Sequence, residues 1–254
     1  MRRGTGHPCP TGTLTSVTRQ NVYDNESFFR PYQAMRDSRT GINEAIEQPV
    51  LRAMLPPVAG RMVVDLGCGD GQLSRELATS GASSVLGVDP SERMLTLARK
   101  RTADDRVRYL LAFAEDVTLA PTSVDIVVSS LALHYVADFD VVMTRIAGWL
   151  RPGGWLVASM EHPMRTAAPD QKVSGSYVID RYAQEGPRAT SWYVDGVIKY
   201  HRRLSTILNA VIGAGLVLQQ ITEPTPTTES LEGCPRLEVH RRSPALLLLS
   251  ATKS

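Results

Sequence analysis

The sequence predicts a doubly wound α/β domain: a seven-stranded, mostly parallel sheet whose last strand runs antiparallel. Three observations carry this reading. Strand-type and helix-type segments alternate from residue 61 onward. A glycine cluster, Gly67-x-Gly69-x-Gly71, stands at the first strand-to-helix turn. The run "VDIVVS", Val124–Ser129, reads as a strand buried on both faces. Strands covered on both faces belong to parallel sheets with helices on either side.

The elements follow in order. Arg61–Leu66 is a β-branched run that ends at the glycines. Gln72–Ser80 carries Leu73 and Leu77 on one helical face, and Gly81 stops it. Ser84–Val88 is the second strand, and Ser91 caps the helix that follows. Val107–Ala112 and Val124–Ser129 are the third and fourth strands. Phe139, Val142, Met143, Ile146 and Leu150 recur at helical spacing, and Arg151-Pro152-Gly153-Gly154 reads as a stop and turn. Trp155–Met160 is the fifth strand. The alternation then breaks over residues 161–200, where "SWYVDGVIKYH" suggests a hairpin with Asp195-Gly196 at its turn. A helix over Ile207–Ile212 follows. Leu216–Thr222 and Pro244–Ser250 close the sheet as an antiparallel pair, with no helix expected between them.

The 254 residues fit one such domain with additions better than two domains. Residues 1–20 read as a disordered tail and 21–60 as an N-terminal helical cap. The main domain is 61–254, with 161–200 as an insertion placed to cover a substrate. The formal net charge of +2 gives no basic face for nucleic acid. The longest aliphatic run, Ala245–Leu249, is far too short for a membrane span, and the basic start lacks a signal-peptide core. Cys9, Cys68 and Cys234 show neither disulfide nor metal spacing, which predicts a reducing, cytoplasmic setting. No metal is expected.

A glycine turn after the first strand is the usual nucleotide crevice of a doubly wound sheet. Asp89, at the end of the second strand, suits the ribose hydroxyls of an adenosine ligand. The spacing is not G-x-G-x-x-G. Asp65 and Asp70 flank the loop, and two carboxylates would repel a pyrophosphate but favour a cationic ligand. S-adenosylmethionine (SAM) has an adenosine, an ammonium and a sulfonium.

The ordered set "VVDLGCGDG", "VLGVDPSERML", "FAEDV", "VDIVVSSLALHYVAD" and "LRPGGWLV" resembles the class I SAM-dependent methyltransferases, Rossmann-like enzymes, over residues 61–160. The resemblance implies SAM as cofactor and S-adenosylhomocysteine as product. It assigns Asp65, Gly67 and Gly69 to the methionine part and Asp89 to the ribose. Pro90 and Met94 follow beside the adenine, and Ala114, Glu115 and Asp116 read its edge. Phe113 stands where many relatives carry an acid. Ser129, Ser130 and Leu131 match the strand end beneath the sulfonium. Gly71 also fits a plain helix-packing role, Met94 a core role and Cys68 a small filler.

The N-terminal segment resembles the helices that close the pocket in bacterial small-molecule methyltransferases. There Tyr23, Tyr32 and Arg36 would meet the methionine carboxylate or the substrate. An amphipathic helix on the sheet edge is the plain alternative. The insertion carries Tyr177, Tyr182, Trp192, Tyr193 and Tyr200, a lining for a hydrophobic or aromatic molecule. It also suits a small packed subdomain or a homo-oligomer contact.

Methyl transfer needs donor and nucleophile held in line, and a hydroxyl acceptor usually needs a base. His162, directly after the fifth strand, is the first candidate, since an unperturbed imidazole titrates near neutrality. It also fits a turn role before Pro163. His134 comes second, with shape as its other role, and Tyr200 beside His201 third. Glu161 is placed to orient His162 or bind a substrate amine.

The expected activity is methyl transfer to oxygen or nitrogen, with carbon open, on a small molecule of secondary metabolism. A SAM-binding protein that catalyses cyclisation or rearrangement without transfer is one rival, and a protein methyltransferase another. A base-amine methyltransferase is disfavoured because Ser129-Ser130-Leu131-Ala132 replaces an Asp/Asn-Pro-Pro-aromatic motif.

Overall fold

The computed structural model describes residues 19–38, 41–167, 172–173 and 176–254, with side chains left out over 37–38, 172–173 and 176–177. The tail expected over 1–20 therefore lies outside the described residues up to residue 18. Its last two residues are seated: Arg19 pairs with Asp116, and Gln20 bonds the backbone of Gly196 and Ile198.

Strands β1 (Met62–Leu66), β2 (Ser84–Asp89), β3 (Val107–Leu111), β4 (Val124–Ser129) and β5 (Leu150–Glu161) pair in parallel. The two-residue strands β6 (Lys172–Val173) and β7 (Ser176–Tyr177) and the hairpin β8 (Gly186–Trp192) and β9 (Val194–His201) form separate two-stranded sheets. Strands β10 (Leu216–Thr222) and β11 (Leu246–Lys253) complete a seven-stranded main sheet in the order β10-β11-β5-β4-β1-β2-β3. β11 runs antiparallel to both β5 and β10, as expected of the last strand.

Strand alternation splits the core in two. Val64, Val127, Leu156 and Leu249 face α5 (Phe139–Trp149) and α7 (Leu204–Gly213) on one side. Val63, Ile126, Val157 and Leu248 face α2 (Gln48–Met54) and α3 (Gln72–Thr79) on the other. The inner strands β1, β4, β5 and β11 thus bury both faces, which is why their sequences are near-continuously apolar. Ser91 caps α4 (Glu92–Arg101), accepting from the Met94 N–H at 3.1 Å.

Before the sheet, α1 (Glu26–Ser38) is followed by a π turn, Asn43–Glu47, that runs into α2. After β5 comes the short α6 (Pro163–Ala167).

Three local expectations change. Helix α5 stops as expected, but Arg151–Gly154 bulges within β5: partners shift from Leu150↔Val124 to Trp155↔Ile126, and Gly153 takes φ +76°. The hairpin turns at Tyr193, φ +57°, not at Asp195-Gly196. Those two residues bulge opposite Ser191, where Gly196 at φ +79° supplies the left-handed backbone. Helices α8 (Thr228–Gly233) and α9 (Val239–Arg242) do separate β10 from β11. With six and four residues they are too short to show a helical period.

Candidate active site

The strand order reverses between β1 and β4, and the crevice above their carboxyl ends is where such sheets take ligands. A single cavity of about 630 Å³ opens there and continues beneath the N-terminal helices and the hairpin.

The glycine loop forms one end. Gly67 and Cys68 donate to the Val88 carbonyl at 2.7 and 3.0 Å, which ties the loop to β2. Gly67 has φ +82°, and a Cβ there would fall 2.1 Å from the Ala132 Cβ. Gly69 faces open space. A Cβ on Gly71 would meet the Tyr109 hydroxyl at 2.1 Å, so this glycine serves packing.

Asp89 is buried at the floor, its two oxygens accepting from the Gly69 and Ser91 N–H groups, both at 2.9 Å. Burial lifts its pKa to about 6. Asp65 accepts from Ser74 Oγ at 2.6 Å and is lifted to about 7 by burial, with Asp89, Asp70 and Glu47 adding to the effect. Among the described residues no cation lowers either carboxyl, and a cationic ligand would favour their ionised forms. Asn21 lies over this end: its amide nitrogen donates to the Pro90 carbonyl at 2.9 Å, and its buried oxygen has no hydrogen-bond partner. The donors and acceptors match an adenosine carrying an ammonium and a sulfonium.

Pro90, Met94, Ala114, Glu115 and Leu131 line the cavity with them. Leu131 holds φ +51° and donates its N–H to Ser159 Oγ at 3.0 Å. Tyr23, Tyr32 and Arg36 also line it, Tyr23 meeting the rings of Tyr32 and Tyr135 edge-on at 5.1 and 6.1 Å. Arg36 is paired with Glu44 at 2.7 Å, within reach of a ligand carboxylate at the glycine end.

Five expected residues are not brought to the cavity; Tyr182 is one, its ring against His201 and its hydroxyl accepting from the Leu204 N–H at 3.1 Å. Asp116 turns outward to Arg19. Ser129 points into the sheet and donates to the Leu66 carbonyl at 2.7 Å. His162 is buried behind the crevice: Nδ1 accepts from Met164 N–H at 3.1 Å, and Nε2 lies 2.7 Å from Glu223. Successive strand residues face opposite ways, so Glu161 enters the cavity and His162 leaves it. Tyr200 fails for the same reason, since its neighbour Lys199 takes the inward position on β9. Tyr177's side chain lies outside the described residues.

His134 does line the cavity, and burial takes its pKa down to about 3. It is neutral near pH 7, with Nδ1 accepting from the Glu161 N–H at 3.4 Å. Burial alone would raise Glu161, but Lys199, His134 and Arg165 together hold it at about 2. Lys199 Nζ sits 2.6 Å from Glu161 Oε1.

Sequence reasoning missed Lys199 and also Glu47. Glu47 is fully buried and accepts from Gln48, Ser130 and Ser159 at 2.7, 2.8 and 2.6 Å. It locks the π turn onto the ends of β4 and β5. Its only sequence signal is an acid inside an apolar helical stretch.

The methyltransferase-domain family profile matches residues 64–158. An S-adenosylmethionine dependent methyltransferase from Mesorhizobium loti is 42% identical, with a TM-score of 0.79; the match covers 84% of this chain and 100% of that one. The chain is a SAM-dependent methyltransferase. An uncharacterized protein of Haemophilus influenzae is 33% identical over 218 residues, 80% of this chain and 86% of its own length. A ubiquinone biosynthesis O-methyltransferase of Rhizobium etli is 38% identical over 115 residues, 44% of this chain and 46% of its own. The methyltransferase therefore uses SAM, whose bound form supplies a methyl group on positively charged sulfur. No helix of the described residues is long and apolar enough to cross a membrane.

Proposed function

We propose that this methyltransferase acts on an oxygen or nitrogen of a small, apolar-bodied or aromatic molecule, with carbon as a further acceptor atom, and that the product belongs to secondary metabolism. The observation that carries the reading is the continuity of the cavity. It runs from the glycine loop to a wall of Tyr32, Tyr135 and Trp192. Its volume of about 630 Å³ lies in the range of small-molecule sites. The N-terminal segment and the hairpin both cover it, which favours a small acceptor over a protein chain. The likeness to an O-methyltransferase supports oxygen.

Asp89 and Asn21 would hold the ribose side, Met94 and Phe113 would flank the adenine, and Asp65 with Arg36 would take the amino-acid end. Of the described residues at the other end, neither His134 nor Glu161 is poised as a base. His134 and Glu161 titrate near 3 and 2, far below neutrality. Catalysis on this reading is positioning of a nucleophile already able to react: an acidic hydroxyl, a carboxylate or an amine.

The test is calorimetric titration with SAM and S-adenosylhomocysteine, followed by a small-molecule panel with methyl-labelled SAM. Label transfer to a small molecule supports the reading. Tight SAM binding with product formed and the methyl retained would instead favour a SAM-bound cyclase. Transfer only to added protein would favour the protein-methyltransferase alternative.

A further inference from the structure

The acceptor end of the cavity carries a charge pattern opposite to the cofactor end. On β8, Arg188, Thr190 and Trp192 alternate onto the cavity face. On β9 it is Lys199 that faces inward. Arg188 and Lys199 are direct cross-strand partners. Partners of this kind hold their Cβ atoms roughly 5 Å apart, and like charges there destabilise a hairpin. Both side chains nevertheless face the cavity, and Lys199 is only 7% exposed.

Lys199 engages the Glu161 carboxylate at 2.6 Å. Arg165, from α6, also lies 3.7 Å from the same oxygen. Arg188 makes no ion pair among the described residues; its terminal nitrogens donate to main-chain carbonyls of Arg181, Gln184 and Pro187. Its Nε is buried without a hydrogen-bond partner. A buried, unsatisfied guanidinium N–H is costly and is usually answered by a ligand or water. Beside it, Lys199 Nζ lies 5.2 Å from the centre of the Trp192 ring, so an apolar wall adjoins the cations.

We propose that the acceptor bears an anionic group, a carboxylate or a phosphate, seated between Arg188 and Lys199 with its apolar body against Trp192. This rests on the methyl-transfer reading above and names the substrate class of that same site. Glu161 is the internal counter-ion: it pairs with Lys199 and competes with an incoming anion. Arginine and lysine divide the work: Arg188 offers the Nε–H that has no partner, and Lys199 a point charge.

The experiment uses the full chain saturated with S-adenosylhomocysteine, titrated with 2-naphthoate, 2-naphthyl phosphate and the neutral 2-naphthamide. At least one anion should bind tenfold or more tightly than the amide, and which one does so distinguishes carboxylate from phosphate. Lys199→Met should abolish that preference while S-adenosylhomocysteine affinity stays within about twofold, which also shows the variant is folded. Glu161→Gln should tighten the preferred anion about threefold or more, an effect that a purely structural ion pair would not produce. Equal binding of anion and amide, or detectable binding of neither, overturns the proposal. Failure of S-adenosylhomocysteine itself to bind would instead strike the cofactor-site reading on which it depends.

Discussion

The two ends of the cavity are built in different ways. The end proposed for the cofactor comes from strand ends and the turns that leave them: Asp65–Gly69 after β1, Asp89–Met94 after β2, Ala112–Glu115 after β3, and Ser130–Ala132 after β4. It is acidic, with Asp65, Asp70, Asp89 and Glu115 in its wall. The end proposed for the acceptor comes from α1, α6 and the hairpin, and it presents Arg188 together with Arg165 and Lys199, the last two paired with Glu161. The first end is anchored by backbone hydrogen bonds of the sheet. The second is held by side chains, the Tyr23–Tyr32–Tyr135 rings and the Glu161–Lys199 pair. A family can therefore keep its cofactor site while the acceptor site is rebuilt from loops.

The sharpest way to break this contrast is at Gly67. Gly67→Ala places a Cβ 2.1 Å from Ala132 on a backbone at φ +82°. The expected cost is about 3 kcal/mol or more, with loss of SAM binding. Thermal unfolding should fall by roughly 10 °C; an unchanged midpoint would refute the crowding argument.

Asp89→Ala comes next. It removes the acceptor of the Gly69 and Ser91 N–H groups, together with the proposed ribose contact. SAM affinity should drop about 100-fold by calorimetry, near 2.7 kcal/mol.

The acidity of the cofactor end also sets a pH dependence. Asp65 and Asp89 are raised to about 7 and about 6, and a cationic ligand favours their ionised forms. SAM affinity should therefore fall about tenfold between pH 8 and pH 6 as protons compete. In the ligand-free protein the same shifts act through folding. Their stabilising contribution is complete below the ordinary carboxyl value of 3.8 and is lost as pH rises through about 6 to 7. A flat binding profile would mean the two carboxylates do not face the cation.

His162→Ala probes the region behind the crevice. It should cost about 1–3 kcal/mol of stability through the lost Met164 and Glu223 contacts, and leave the shape of the pH–rate profile unchanged. The smallest effect belongs to Tyr23→Phe, which removes only a 3.5 Å contact with Tyr135. SAM affinity should change less than about threefold.

Legibility followed the same divide. Asp65, Gly67, Gly69 and Asp89 meet at one end of the cavity, where the sequence placed them together, because a parallel strand ends, turns and starts a helix within a few residues, so sequence neighbours remain neighbours in space. Ser129 and Asp116 sit in the right segments but turn away, because one step along a strand or turn reverses a side chain. His162 and Tyr200 failed by that same single step, and Glu161 and Lys199 took the inward places. Lys199 carries no local signal: its importance comes from Arg188 across the hairpin and Glu161 on β5. Glu47 is satisfied only because its π turn lies against Ser130 and Ser159.

The sequence by itself determined the parallel sheet, its antiparallel last strand and the cofactor's glycine turn, since periodicity and turn chemistry are local properties of the chain. The tertiary structure alone decided which side chains meet across the acceptor end. That choice depends on the phase of β5 and β9 and on hairpin register, where a shift of one residue would exchange Lys199 for Tyr200 and change the chemistry of the pocket.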